Sequence, residues 1–238
     1  MTNWFERLTV ECQLEASAAH ALQEDGFVVI EGPVPRPAFD QLVTTYDRVM
    51  DEATEPDKRV GRQNTRVHDL VNRAGAFDGL YLYPPVLAAC CQVIRQPFKL
   101  SNVLGRTLHP QSEAEQLHVD TAGDQKGWPI LGFILMIDQF ATVNGATRFV
   151  PGSHRRPMSA SEEPLESEVV PACGPQGAMV VYNGSVLHGH GSNRTDRARR
   201  SIQGAFIRRN SAGFGLADRI SSETRQRIGP LAQYLIAL

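Results

Sequence analysis

The chain has 238 residues, with 42% hydrophobic and 21% charged, which is enough length and apolar content for one domain with a sizeable core. A formal net charge of −2 and a pI near 6.4 exclude the basic footprint of a nucleic-acid-binding protein. No apolar run is long enough to span a membrane, and residues 1–16 carry charges throughout, without the apolar stretch of a secretory signal.

Residues 15–25 are rich in Ala, Leu, Gln and Glu and predict a helix that stops at Gly26. Phe27-Val28-Val29-Ile30 predicts a short buried strand. Pro35 and Pro37 open a second helix to about residue 52, with Phe39, Leu42, Val43, Tyr46 and Met50 at helical spacing. The polar residues 51–64 are expected to form a loop. Pro84-Pro85 opens a third helix, to about Gln96, with Val86, Leu87, Cys90, Val93 and Ile94 on one face.

From Phe98 the pattern changes to strands. They are expected at Phe98–Leu108, Gln116–Asp120, Gly132–Phe140, Ala146–Val150, Glu168–Val170, Ala178–Tyr182, Val186–His188 and Ser201–Arg208, punctuated by Gly, Pro, Asn and Asp. Helical patterns return after Gly215. The order of elements predicts an α+β, mainly β, fold whose seven or eight strands suit a double-sheet jelly roll. Cys12, Cys90, Cys91 and Cys173 lack metal-type C-x-x-C spacing and fit reduced thiols in a cytoplasmic protein.

The chemistry concentrates in two short runs. Gln116-Leu117-His118-Val119-Asp120 sets an imidazole and a carboxylate two residues apart, and Tyr182-Asn183-Gly184-Ser185-Val186-Leu187-His188-Gly189-His190 follows later. On a strand, residues i and i+2 face the same way. His118 and Asp120 would then share one space, and a later strand would add a second imidazole. Two histidines and one carboxylate on one face of a metal is the arrangement of non-heme Fe(II) oxygenases. The dipeptide alone says little. With 7 His and 26 Asp and Glu in the chain, roughly one His-x-Asp/Glu match arises by chance, before any metal preference is applied. Strand alternation also does not choose between His188 and His190. His68, His109 and His154 read as surface or hydrogen-bonded residues, and Arg197 and Arg200 as solvated flank.

Together with Arg66-Val67-His68-Asp69-Leu70, the turn Asn144–His154, and His188-Gly189-His190-Gly191-Ser192-Asn193 followed by Arg199, these runs resemble the phytanoyl-CoA dioxygenase family of Fe(II)/2-oxoglutarate-dependent oxygenases. The resemblance covers roughly residues 16 to 210. It implies a double-stranded β-helix (jelly-roll, cupin-like) with flanking N-terminal and C-terminal helices. It implies one domain over 1–238, helical at about 15–96, with the β-helix core at about 98–210. His118 and Asp120 match the proximal metal ligands and His188 the distal one. Arg199 matches the arginine that grips the far carboxylate of 2-oxoglutarate, a bidentate task suited to a guanidinium. Thr147 matches a hydroxyl that shares that carboxylate, and Gln116 and Gln63 match amide donors near the cosubstrate. Ile134 stands where the best-known members carry tryptophan, and His190 where a serine contacts the cosubstrate; both bear on the substrate and leave the metal set intact.

The implied activity uses Fe(II), 2-oxoglutarate and O2, releases succinate and CO2, and oxidises a C–H bond of a small molecule, a secondary metabolite by class. Because Asp120 fills the position that halogenating relatives leave for chloride, hydroxylation or another oxidation is favoured over halogenation. Alternatives are a cupin-like zinc isomerase or hydrolase, and a non-catalytic small-molecule-binding β-helix. The partners expected are a small-molecule substrate, no nucleic acid and no membrane, in a monomer or homodimer.

Overall fold

The computed structural model describes residues 3–156, 164–212 and 215–238. Helices α1 (Trp4–Glu11) and α2 (Ala16–Glu24) are both capped by side chains, since Asn3 accepts from the Glu6 N–H and Glu15 from the N–H groups of Ser17 and Ala18. Strand β1 (Phe27–Ile30) leads to α3 (Arg36–Glu52), which starts on Pro35 and Pro37. The hairpin β2 (Lys58–Val60) and β3 (Asn64–Val67) precedes the single turns α4 (Leu70–Arg73) and α5 (Asp78–Tyr81), then α6 (Pro84–Ile94). The β core follows as β4 (Phe98–Leu108), β5 (Ile130–Met136), β6 (Thr147–Phe149), β7 (Val170–Pro171), β8 (Met179–Asn183), β9 (His188–His190) and β10 (Arg199–Arg208). The chain closes with α7 (Ser222–Arg227) and α8 (Pro230–Ile236).

The strands form a seven-stranded sheet, in the order β1-β8-β5-β10-β4-β3-β2, and a three-stranded sheet, β7-β6-β9. All pairings are antiparallel. The two sheets with their flanking helices make the α+β, mainly β, double-stranded β-helix that the sequence predicts.

Alternation divides the large sheet into two faces. Phe133, Leu135, Val181, Ile202 and Phe206 join the helices in the main core, which runs from Leu8 to Ile236. Ile134, Met136 and Val180 face the other way and pack with Phe140, Phe149 and Val186 between the sheets. Each such fully buried aliphatic or aromatic side chain contributes about 1.5–3 kcal/mol over its exposed state. Gly105 lies under α3, and a Cβ there would come within 2.7 Å of Met50 Sδ.

Several local expectations differ from the structure. Residues 51–64 are not a loop throughout, because Lys58–Val60 and Asn64–Val67 pair and extend the large sheet through β3 on β4. Gln116–Asp120 is not a strand: only His118 forms a β-bridge, with His188. Its partner strand begins at His188, so no longer ladder is available on that side. The strand expected at Glu168–Val170 begins later, at Val170, after a 3-10 turn over Glu166–Glu168. Arg200 is not solvated flank. β10 alternation turns it away from Arg199 and onto α3, where its Nη1 reaches both oxygens of Asp47 at 2.7 Å and its Nη2 reaches Asp138 Oδ1 at 2.7 Å. All four cysteines are free thiols. No single helix among the described residues is long and apolar enough to cross a membrane.

Candidate metal centre

His118, Asp120 and His188 each offer a ligand atom, and these three atoms lie within 4.8 Å of one another. Backbone, not strand alternation, brings them together. His118 and His188 exchange main-chain hydrogen bonds, and the Asp120 N–H donates to Gly184 O at 2.8 Å. The imidazole rings are 4.7 Å apart.

Each histidine is held in one tautomer by the same local device. His118 Nδ1 lies 3.1 Å from Gln116 O and His188 Nδ1 lies 2.9 Å from Val186 O. A carbonyl only accepts, so Nδ1 carries the proton and the Nε2 lone pair is left for a metal. His188 Nε2 is 3.8 Å from Asp120 Oδ1. Burial lowers the pKa of His188, against the opposing pull of Asp120, which keeps the ring neutral as a ligand must be.

The three residues line a cavity of about 610 Å³, inside the usual range for small-molecule sites of roughly 300–1,000 Å³, with His188 buried and His118 and Asp120 exposed. One wall is the inward face of β4 and β10, from Asn102 and Leu104 to Gln203 and Ala205. Ile134, Thr147 and His190 line it as well, together with Ile130, Pro129 and Thr121.

On the same lining sits a charged cluster absent from the sequence-based assignment. Glu115 lies 3.3 Å from Arg106 Nη2, 3.9 Å from Arg66 Nη2 and 3.8 Å from His190 Nε2. Burial would raise the Glu115 carboxyl, but Arg106 and then His190 outweigh it and hold it below the usual range. Burial, above all, brings the His190 imidazole down to about 4. Alternation on β4 (Asn102, Leu104, Arg106) was the available signal for Arg106. None existed for Glu115, which lies outside any strand.

Arg199 is 1% exposed. It opens β10 on the same face as Gln203 but lies beyond the cavity surface, its guanidinium 4.0 Å from the centre of the Phe140 ring. Its Nε and Nη1 are buried with no hydrogen-bond partner among the described residues. Burial first, and Arg106 second, lower it to about 9, so it stays charged at neutral pH. Thr147 lines the cavity and pairs with His190 across β6 and β9.

Two expected amide donors are elsewhere. Gln116 is exposed and takes part through its main-chain carbonyl on His118. Gln63 does not line the cavity, and its carbonyl accepts from the His109 N–H. Both lie where the chain is irregular, so alternation does not aim their side chains inward. His190 lines the cavity but is not part of the three-ligand group.

The donor set suits iron: two neutral imidazoles and a carboxylate on one side leave other positions open. The Arg199 nitrogens, buried without a partner among the described residues, suit a dicarboxylate cosubstrate. A jelly roll with these features defines a mononuclear non-heme oxygenase.

The comparisons agree. The family model for phytanoyl-CoA dioxygenase (PhyH) matches residues 22–201. Dioxygenase trt7 of Aspergillus terreus is 27% identical over 238 residues, covering 92% of this chain and 82% of its own. The epimerase SnoN from nogalamycin biosynthesis, solved with Fe3+, alpha ketoglutarate and nogalamycin RO, superposes with a TM-score of 0.66 at 19% identity, covering 81% of this chain and 82% of its own. HygX of Streptomyces hygroscopicus, solved with nickel, 2-oxoglutarate and hygromycin B, gives 0.63 at 17%, covering 83% and 88%. The chain belongs to the phytanoyl-CoA dioxygenase family and is an Fe(II)- and 2-oxoglutarate-dependent dioxygenase acting on a small molecule.

Proposed function

We propose that the chain tailors a secondary metabolite in the 610 Å³ cavity, with His118, Asp120 and His188 holding the iron and Arg199 anchoring 2-oxoglutarate. The observation that carries this reading is the convergence of three ligand atoms within 4.8 Å on the lining of that cavity. Bound there, iron with 2-oxoglutarate and O2 supplies the oxidation of a substrate C–H bond, with succinate and CO2 released.

The protein's own residues orient and enclose. Nδ1 protons held on Gln116 O and Val186 O keep both Nε2 lone pairs on the metal side. Arg199, shut away from water, offers its fork to the far carboxylate, and low local dielectric strengthens that pairing. Phe140 covers one face of the guanidinium. Thr147 is the nearby hydroxyl available to share the carboxylate. The unpartnered Arg199 favours this reading over a zinc isomerase or hydrolase, which has no use for a buried anion-binding fork.

The substrate class follows from the wall. Leu104, Ile130, Ile134 and Ala205 give apolar area, while Asn102 and Gln203 supply amides with no side-chain partner among the described residues. An amphipathic small molecule bearing neutral polar groups suits this lining. The metabolite-tailoring neighbours support the same class: SnoN is an epimerase of nogalamycin biosynthesis. The test is succinate release, in Fe(II), 2-oxoglutarate and O2, across a panel of such metabolites. Stimulation by one of them supports the reading. Zinc binding with no succinate from any would replace it with a hydrolase or isomerase.

A further inference from the structure

Residues 121–129 join Asp120 to β5 and contribute Thr121 and Pro129 to the cavity lining. The two ends of this segment are fixed. The Thr121 N–H donates to Gly184 O at 3.4 Å and its carbonyl accepts from Ser185 Oγ at 2.7 Å. At the far end the Pro129 carbonyl accepts from the Arg208 N–H at 3.2 Å, and Trp128 Nε1 donates to His154 O at 3.3 Å. The middle is folded into a turn, in which Asp124 and Gly127 exchange main-chain hydrogen bonds. Gly127 takes a φ of +99° there, a conformation open to glycine at no steric cost.

One buried cation holds that turn against the large sheet. Arg208 ends β10 and is 6% exposed. Its Nη1 donates to Asp124 Oδ2, and its Nη2 donates to Asp124 Oδ1 at 2.8 Å and to Gly127 O at 2.7 Å. Two parallel charge-assisted bonds fix direction as well as distance. Arg208 is the fixed member of the pair and Asp124 the docked one, since their side chains are 7% and 53% exposed. Neither residue is on the cavity lining, but their chain neighbours are: Thr121 and Pro129 from the segment, Ile207 and Ser211 from the end of β10.

We propose that Arg208 is a positioning residue for substrate selection: by pinning the turn closed by Asp124 and Gly127 it sets where Thr121 and Pro129 stand on the lining, and so which substrate shapes the cavity accepts. With the pin released, the segment is held near its two ends only, and that part of the wall gives way to larger molecules. The metal centre is insulated from this change, because the Asp120 N–H is tied separately to Gly184 O. The inference rests on the reading of this cavity as the substrate site.

The test compares full-length, Fe(II)-loaded wild type, Asp124→Ala and Arg208→Lys. Asp124→Ala removes the acceptor at an exposed position, and Arg208→Lys keeps the charge but loses the fork. Succinate release is measured over a panel of amphipathic metabolites with neutral polar groups, graded in bulk, beside equilibrium binding of 2-oxoglutarate. For the metabolite that wild type prefers, kcat/KM should fall roughly 10–100-fold, the scale of a small misplacement away from the reacting atoms, with most of the change in KM. Bulkier members should lose less, so the ranking shifts toward them, and 2-oxoglutarate affinity should stay at wild type. Trypsin should also cut after Lys126, inside the turn, faster in both variants, read by fragment mass. Wild-type kcat/KM and ranking in both variants overturn the inference, as does cleavage after Lys126 at the wild-type rate. So does a loss equal for every panel member and matched by weaker 2-oxoglutarate binding, which assigns the pair to general stability. Wild-type protein that releases no succinate with any member overturns instead the substrate-site reading beneath it.

Discussion

His118 and His188 exchange two main-chain hydrogen bonds, from His118 N–H to His188 O at 2.9 Å and from His188 N–H to His118 O at 2.8 Å. The imidazoles are thus brought together by backbone groups that do not depend on the side chains. His118→Ala or His188→Ala should therefore keep the fold, with a thermal midpoint close to the metal-free wild type. Metal affinity should drop by more than the roughly 10–100-fold typical of an outer-sphere partner. His190→Ala should still bind metal, since His190 is outside the three-ligand group. Calorimetric titration with Fe(II) under anaerobic conditions checks all three. Loss of metal in His190→Ala alone would move the ligand assignment.

Arg199 has an unusual setting for a cation: it is buried, stacked on Phe140 and short of acceptors. Arg199→Lys keeps the charge and loses the fork. Affinity for 2-oxoglutarate should fall by roughly 1–3 kcal/mol. Equilibrium binding of 2-oxoglutarate to the metal-loaded protein measures it, and unchanged affinity would remove Arg199 from the cosubstrate site.

The regular parts of this chain were legible because their periodicity is strong. The helices at α2, α3 and α6 and the long strands β4 and β10 lie within a few residues of expectation, since Phe39, Leu42 and Tyr46, or Ile202 and Phe206, carry the pattern directly. The hairpin of β2 and β3 was missed because Lys58-Arg59-Val60 and Asn64-Thr65-Arg66-Val67 are polar strands at one end of the sheet, with only Val67 buried. Asp120 and His118 were found by motif, for the wrong local reason, because their convergence comes from a single bridge and not from a strand. Glu115 was invisible, because it acquires its place through contacts distant in sequence, with Arg66 and His190. The same holds for Arg200, whose partners Asp47 and Asp138 come from α3 and from the bend after β5.

That Arg200 clamp predicts a stability effect. Asp138 accepts from the Arg200 main-chain N–H at 2.7 Å and from its guanidinium. Asp138→Asn should destabilise the protein by about 1–3 kcal/mol, the scale of charge-assisted hydrogen bonds. Asp47→Asn should cost less, because the Asp47 side chain is 48% exposed and solvent screens its charge. Thermal or urea unfolding of the two variants orders them, and a reversed order would refute the burial argument.

A pH dependence follows from His190. Burial holds its pKa at about 4 in the folded protein, against about 6.5 in an unfolded chain. Between these values the unfolded chain takes up the proton and the folded one does not. Stability of the metal-free protein should therefore be full above about pH 6.5 and fall as the pH drops toward 4. One such group gives at most about 1.4 kcal/mol per pH unit. His188, also lowered by burial, acts in the same direction. His190→Gln should flatten the curve in this window. An unchanged slope of unfolding free energy against pH would show that His190 does not titrate as its burial requires.

Reaction type turns on Asp120. If Asp120 holds the iron together with the two imidazoles, as proposed, no protein-side position would be left for a halide, so the product should be hydroxylated, desaturated or otherwise oxidised, with no chlorine incorporated. Asp120→Ala opens that position but breaks the three-ligand face, so metal affinity should weaken and succinate release should no longer track substrate oxidation. The measurement is mass spectrometry of products, beside succinate yield, from wild type and Asp120→Ala turned over in 2-oxoglutarate, O2 and chloride. A chlorinated product from the wild type would contradict Asp120 as a ligand during turnover. Coupled oxidation retained in Asp120→Ala would contradict it as well, because the two imidazoles alone would then hold the metal in working geometry.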